Sequence, residues 1–415
     1  MSRISQDASA VRRGDSAFAL SVLFFCALLG HNIFKLGGSL SFLQLTTLLI
    51  VVILSDREIQ IKLFLSAALI LVVSGVQYFV VGDTINLKYE EYLIKYPVLL
   101  LLLLSFMCGS TSLFNRGYIL NSAVEVVAWL FLGLCFLSAI FSYVFNLPDF
   151  PPLFYDNPNE TAVAVSAAYL YLAFNSRLKF AFLLGFMIVI PTIYIGSSRY
   201  SMMYVAAIFA LAALPFILAA MRTGAVLQRR EPLGHFLVAT IFLVLTIDLS
   251  SLNHFFQLVS IDKFGIEWDA LWLAWDTTAP PLSSIGYRVN NVLAALGALF
   301  RTFGVGIGLG RSAALTEQIS GLAGSIHVSP IEFFVEFGVY GTLILLAILT
   351  SGISRRSVLV FSCWMGVGMM SMCAQSSAYL TSYVAWFFIV ALAYFKARQP
   401  QAGLIAAEGA SRHPA

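Results

Sequence analysis

Residues 118–146 read YILNSAVEVVAWLFLGLCFLSAIFSYVFN, and the only charged side chain among them is Glu125. A helix needs about 20 apolar residues to cross the hydrocarbon of a bilayer, so this run is long enough to span. It has many counterparts. Apolar runs also occupy 17–35, 39–54, 63–81, 93–109, 161–174, 180–195 and 200–220, then 235–251, 330–350, 357–375 and 381–396. With 118–146 they make twelve, and the shorter ones reach full length through tilt or extension.

Composition agrees with the count. Of 415 residues, 60% are hydrophobic and only 11% charged, where a soluble domain carries roughly 25% charged residues. Mean hydropathy is +0.88. These values exclude a secreted enzyme, a nucleic-acid binder and a disordered adaptor. The expected fold is therefore all-α, a polytopic integral membrane protein with about twelve transmembrane helices. A tail at 1–16 precedes nine helices over 17–251. A large outer loop at 252–329 follows, then three helices over 330–396 and a small-residue tail at 397–415, expected to be disordered. No internal repeat is visible. Cys26, Cys108, Cys135, Cys363 and Cys373 all lie in or beside apolar runs, without metal-ligand spacing, and read as small buried hydrophobes. The first run follows Arg3, Arg12 and Arg13 but lacks a cleavage pattern, so it reads as a retained helix.

With the N-terminus inside, 16 Lys and Arg fall on the inner side and 8 on the outer. That asymmetry favours both termini in the cytoplasm. The inner anchors include Arg222, Arg229, Arg230, Arg355 and Arg356. The outer side holds the polar material: a Pro- and Asn-rich loop at 147–160 and the long segment 252–329. In the latter, Trp268, Trp272 and Trp275 fall at i, i+4, i+7 and share a helix face, suited to an interfacial helix or to stacking on sugars.

An ionisable residue in or against a span is costly and so marks a candidate site. Arg199 closes Gly-Ser-Ser-Arg at a junction between spans. Arg288 follows Tyr287 and precedes an apolar stretch ending in Arg301. Next comes Phe303-Gly-Val-Gly-Ile-Gly-Leu-Gly310 with Arg311 behind it. Gly304, Gly306 and their neighbours allow close backbone approach and offer N–H groups to anionic oxygens; loop flexibility is the competing reading. His327 precedes Ser329-Pro330, which suit the start of a helix. On that helix Glu332 and Glu336 share a face. Arg grips phosphate bidentately and His suits activation of a hydroxyl. Asn157 and Asn159 are placed to meet sugar hydroxyls or to make Asx turns. No Asp-x-Asp pattern lies near the outer face, so no metal and no cofactor is expected.

In order and spacing these motifs resemble the bacterial O-antigen polymerase and O-antigen ligase superfamily. The resemblance rests on Asn157-Pro-Asn159, the Gly-Ser-Ser-Arg turn ending at Arg199, Tyr287-Arg288, the glycine run, and His327 ahead of Glu336-Phe-Gly338. It implies a C-type glycosyltransferase fold in the bacterial inner membrane, with the active site facing the periplasm. It implies metal-independent, inverting transfer from an undecaprenyl-diphosphate-linked oligosaccharide. Arg199 and Arg288 would hold the diphosphate, and His327 would activate or orient the acceptor hydroxyl. Glu336 joins them as a catalytic candidate. Asn157, Asn159, Tyr287, Arg301, Gly304, Gly306, Arg311 and Glu332 are the substrate-binding candidates. The implied partners are a lipid-linked donor and acceptor and membrane lipid, with room for a chain-length regulator and no nucleic acid. Val328 departs from the family, which often has Asn directly after the His. Two further readings stand beside a polymerase: a ligase that delivers the glycan to lipid A-core, and a flippase or transporter of lipid-linked oligosaccharide.

Overall fold

The computed structural model describes residues 57–82, 92–115, 119–145, 158–176, 181–195, 284–320, 329–350, 355–370 and 382–398, with single positions at 117, 178, 326 and 372. Among them the regular structure is helical and no strand occurs. In chain order the helices are α1 (Arg57–Gly82), α2 (Tyr92–Asn115), α3 (Asn121–Val144), α4 (Pro158–Asn175) and α5 (Ala181–Ile195). Then come α6 (Ser284–Arg301), α7 (Ser312–Ser320), α8 (Ser329–Phe337), α9 (Val339–Thr350), α10 (Arg355–Met370) and α11 (Tyr383–Arg398). The apolar runs at 17–35, 39–54, 200–220 and 235–251 lie outside the described residues.

Two of these helices, α1 and α3, are each long and apolar enough to cross a membrane, and α8 with α9 would make a third as one bent span. The sequence predicts 330–350 as a single run. The chain instead turns by 105° between α8 and α9, at Gly338, whose φ is +81°. The carbonyl of Val305 lies where a Cβ at Gly338 would sit. Only glycine fits there. The expected long outer loop also contains regular structure, since α6 and α7 both fall within 252–329.

The centre is built by α4 and α11. Every residue from Thr161 to Leu172 of α4 is buried, as is Tyr383–Ala393 of α11. A helix that is apolar all round belongs inside a bundle. Around α11 pack α2, α3, α4 and α10. Small residues on α4 (Ala162, Ala164, Ala167, Ala168) let its neighbours approach closely. At the α10–α11 crossing, a Cβ at Gly368 would stand 2.5 Å from the Ile389 side chain. Phe106 meets Tyr383 edge to face at 5.3 Å, an aromatic geometry favoured beyond its burial alone. Hydroxyls inside the helices, such as Ser105, Ser110 and Thr192, donate to carbonyls of the preceding turn. Such bonds satisfy a hydroxyl within its own helix, as an apolar setting requires.

The periphery is the reverse. Phe64, Leu71 and Phe79 of α1 are each more than 70% exposed, and Leu137 and Phe141 of α3 more than half. Apolar stripes of this extent call for an apolar solvent. Helix α1 has a second role, for it packs on α2 and α9. Its Val81 also joins the small core of Ala294, Ala295, Ala298, Ile307, Leu315, Ile326 and Val335, from α6, α7, α8 and the segments between them.

Candidate functional site

The glycine run connects α6 to α7 and lies against the break between α8 and α9. Gly304, Gly306, Gly308 and Gly310 all have positive φ, at 79°, 90°, 102° and 76°. At Gly306 a Cβ would come within 2.6 Å of the Gly338 nitrogen, so glycine opposes glycine across the contact. The expected donors of the run are spent inside the protein. Gly304 N–H donates to the Leu299 carbonyl at 2.9 Å, and Gly306 N–H to the Thr302 hydroxyl at 3.2 Å. Ile307 N–H and Gly308 N–H donate to the carbonyls of Val335 and Glu336 at 2.9 and 3.0 Å. Those carbonyls belong to the last turn of α8, which has no intrahelical partner for them. The N–H groups of Gly304 and Gly306 are thus engaged by Leu299 and Thr302 at the end of α6, and those of Ile307 and Gly308 by the bent end of α8.

Glu332 and Glu336 are both buried, at 0% and 1% exposure, one helical turn apart on α8. Both reach Ser312, the first residue of α7. The Ser312 hydroxyl donates to Glu332 Oε1 at 2.7 Å, and its backbone N–H donates to Glu336 Oε1 at 3.1 Å. Carboxylates at a helix N-terminus face unpaired N–H groups and the positive end of the helix dipole. The acids that the sequence places at membrane depth are therefore partnered. Gln77 of α1 ties the same joint from the other side: its Nε2 donates to the Val305 and Glu336 carbonyls, each at 2.8 Å.

Arg311 sits at the start of this joint. Its residue is 6% exposed, and its stem lies across Gly308, where a Cβ would meet Arg311 Cδ at 3.1 Å. Burial pulls the guanidinium below its ordinary pKa, while Tyr78 raises it; it stays a cation at neutral pH. Arg311 has no carboxylate partner among the described residues. It lines a pocket with Ser74, Gln77, Tyr78, Pro97, Gly308 and Leu309.

Of the residues singled out by sequence, Gly304, Gly306, Arg311, Glu332 and Glu336 thus come together. Arg301 ends α6 with an exposed side chain. Tyr287 and Arg288 lie in the first turns of α6, and Asn159 in the first turn of α4. Arg199, Asn157 and His327 lie outside the described residues, His327 between the buried Ile326 and the start of α8. Ser74, Gln77, Tyr78 and Ser312 belong to the site and are missing from the sequence reading. The one signal for them was an amide, Gln77, inside an otherwise apolar run. Among the described residues no three His, Cys, Asp or Glu converge as metal ligands. No known protein family, no characterised protein and no solved structure matches the chain.

Proposed function

We propose that the chain is a membrane glycosyltransferase of about twelve spans. In this reading it joins undecaprenyl-diphosphate-linked repeat units at the periplasmic face of the inner membrane. The observation that supports it best is the convergence of Arg311, Glu332 and Glu336 on one joint, in the chain segment that also carries Arg288 and His327. In this mechanism Arg199 and Arg288 bind the donor diphosphate and neutralise it as it leaves. His327 takes the proton of an acceptor sugar hydroxyl. The hydroxyl oxygen attacks the anomeric carbon from the face opposite the phosphate, inverting that centre and releasing undecaprenyl diphosphate. Glu336, engaged by Ser312, serves here as a positioning residue that holds α7 and α8 in register. Asn157, Asn159 and Tyr287 contact the glycan.

The test is a reconstituted chain-extension assay with lipid-linked repeat units. His327→Ala should lower the rate by roughly 10²–10⁴-fold, the usual weight of a general base. Arg288→Lys should also lose most activity, because charge is kept but the bidentate fork is not. Normal extension by both well-expressed variants would sink the proposal. Extension of lipid A-core instead of a lipid-linked acceptor would make the enzyme a ligase. The transporter alternative draws support from the 105° break between α8 and α9, since transporters build binding sites from broken helices. Movement of lipid-linked sugar without a new glycosidic bond would decide for it.

A further inference from the structure

The pocket between the C-terminal half of α1, the start of α2 and the glycine run is built around three polar groups, none of them saturated. Arg311 is a buried cation without a carboxylate partner among the described residues. Gln77 is 1% exposed; both its N–H bonds are spent, yet its Oε1 accepts nothing among the described residues. Ser74 Oγ is buried and equally without a partner among the described residues. All three line the same pocket. A guanidinium offers donors only, and an amide oxygen accepts only. The complementary ligand therefore carries an oxyanion and, beside it, an O–H donor. The space admits a group on the scale of a water or a single oxyanion and excludes a sugar ring. The rest of the ligand must stay outside, where Tyr78 is half exposed and offers an aromatic face.

We infer that this pocket binds the anionic head of a hydroxylated ligand: the carboxylate of a sugar acid, or the phosphate of a glycerophosphate head group. The oxyanion accepts from Arg311 and a neighbouring hydroxyl donates to Gln77 Oε1. The sugar-acid source rests on the transferase reading and would make the pocket select acidic glycans; the head-group source does not depend on it. Binding is measured without turnover, so failure here leaves the chain-extension result standing, and the reverse.

The experiment titrates the full-length protein, in a neutral detergent, with glucuronate, glycerol 1-phosphate or glucose while following its thermal midpoint. A saturable rise with glucuronate alone identifies the sugar acid, and one with glycerol 1-phosphate alone the head group. Either rise should weaken about tenfold or more in Arg311→Met, which removes charge-assisted hydrogen bonds. It should persist in part in Arg311→Lys. Without ligand, Arg311→Met should melt no lower than wild type, because it removes an uncompensated buried charge. The inference is overturned if neither anion raises the midpoint, if glucose acts as well as the anions, or if Arg311→Met responds as wild type does.

Discussion

At the scale of single residues, Ser312 decides how two carboxylates survive burial. Its hydroxyl and its N–H each occupy an oxygen of a different Glu on α8. Ser312→Ala removes one donor from Glu332 and should lower stability by about 1–3 kcal/mol; an unchanged thermal midpoint in detergent would count against the pairing. The glycines divide just as sharply. Gly338→Ala must place a Cβ on the Val305 carbonyl at a φ of +81°, and should prevent accumulation of folded protein. A methyl group added at Gly75 or Gly133 meets nothing within 4 Å, so alanine at either should be neutral or stabilising by up to about 1 kcal/mol. The acids and the glycine run stand out in the sequence by their local spacing, although the groups they bind lie on other elements. Gln77 does not. Its partners stand 228 and 259 residues away, and no window of sequence connects them.

At the scale of elements, the positions of helices were legible and their interruption was not. The predicted runs at 118–146, 161–174 and 180–195 become Asn121–Val144, Pro158–Asn175 and Ala181–Ile195, because apolar length alone sets them. The run at 330–350 is equally apolar, yet it divides at Gly338. What divides it is non-local: the glycine run supplies N–H groups that cap α8, and the Gly304 carbonyl accepts from Val339 N–H at the start of α9 at 2.9 Å. A hydropathy profile contains neither. Between α10 and α11 the spacing depends on one missing side chain. Gly368→Leu should force these helices apart at Ile389 and cost about 1–3 kcal/mol. Ile389→Ala should relieve part of that loss, as residues in direct contact do not behave additively. Simple additivity in a double-mutant cycle would show that the crossing is looser than the geometry implies.

At the scale of the whole molecule, the outer surface of α1 and α3 is apolar, and buried Arg311, Glu332 and Glu336 gather in the joint around α6–α9. The composition foretold that partition, since 11% charged residues leave little to spend on a surface facing lipid. It did not foretell which helices are central. Both α4 and α11 are buried over most of their length, although their apolar runs look no different from those of the peripheral helices. A chain cut after residue 381 should therefore fail to accumulate, and co-expression of 382–415 as a separate piece should restore it; stable protein from the truncated chain alone would refute the central role of α11. The order of synthesis gives this arrangement a further meaning. Between the end of α4 and the start of α11 the ribosome must add about 200 residues, roughly 10–40 s of translation at ~5–20 residues per second. Throughout that interval α4 has α3 and α5 beside it but lacks α11, the helix it packs against most. Maturation is thus a late event, closed by the last described helix to leave the ribosome.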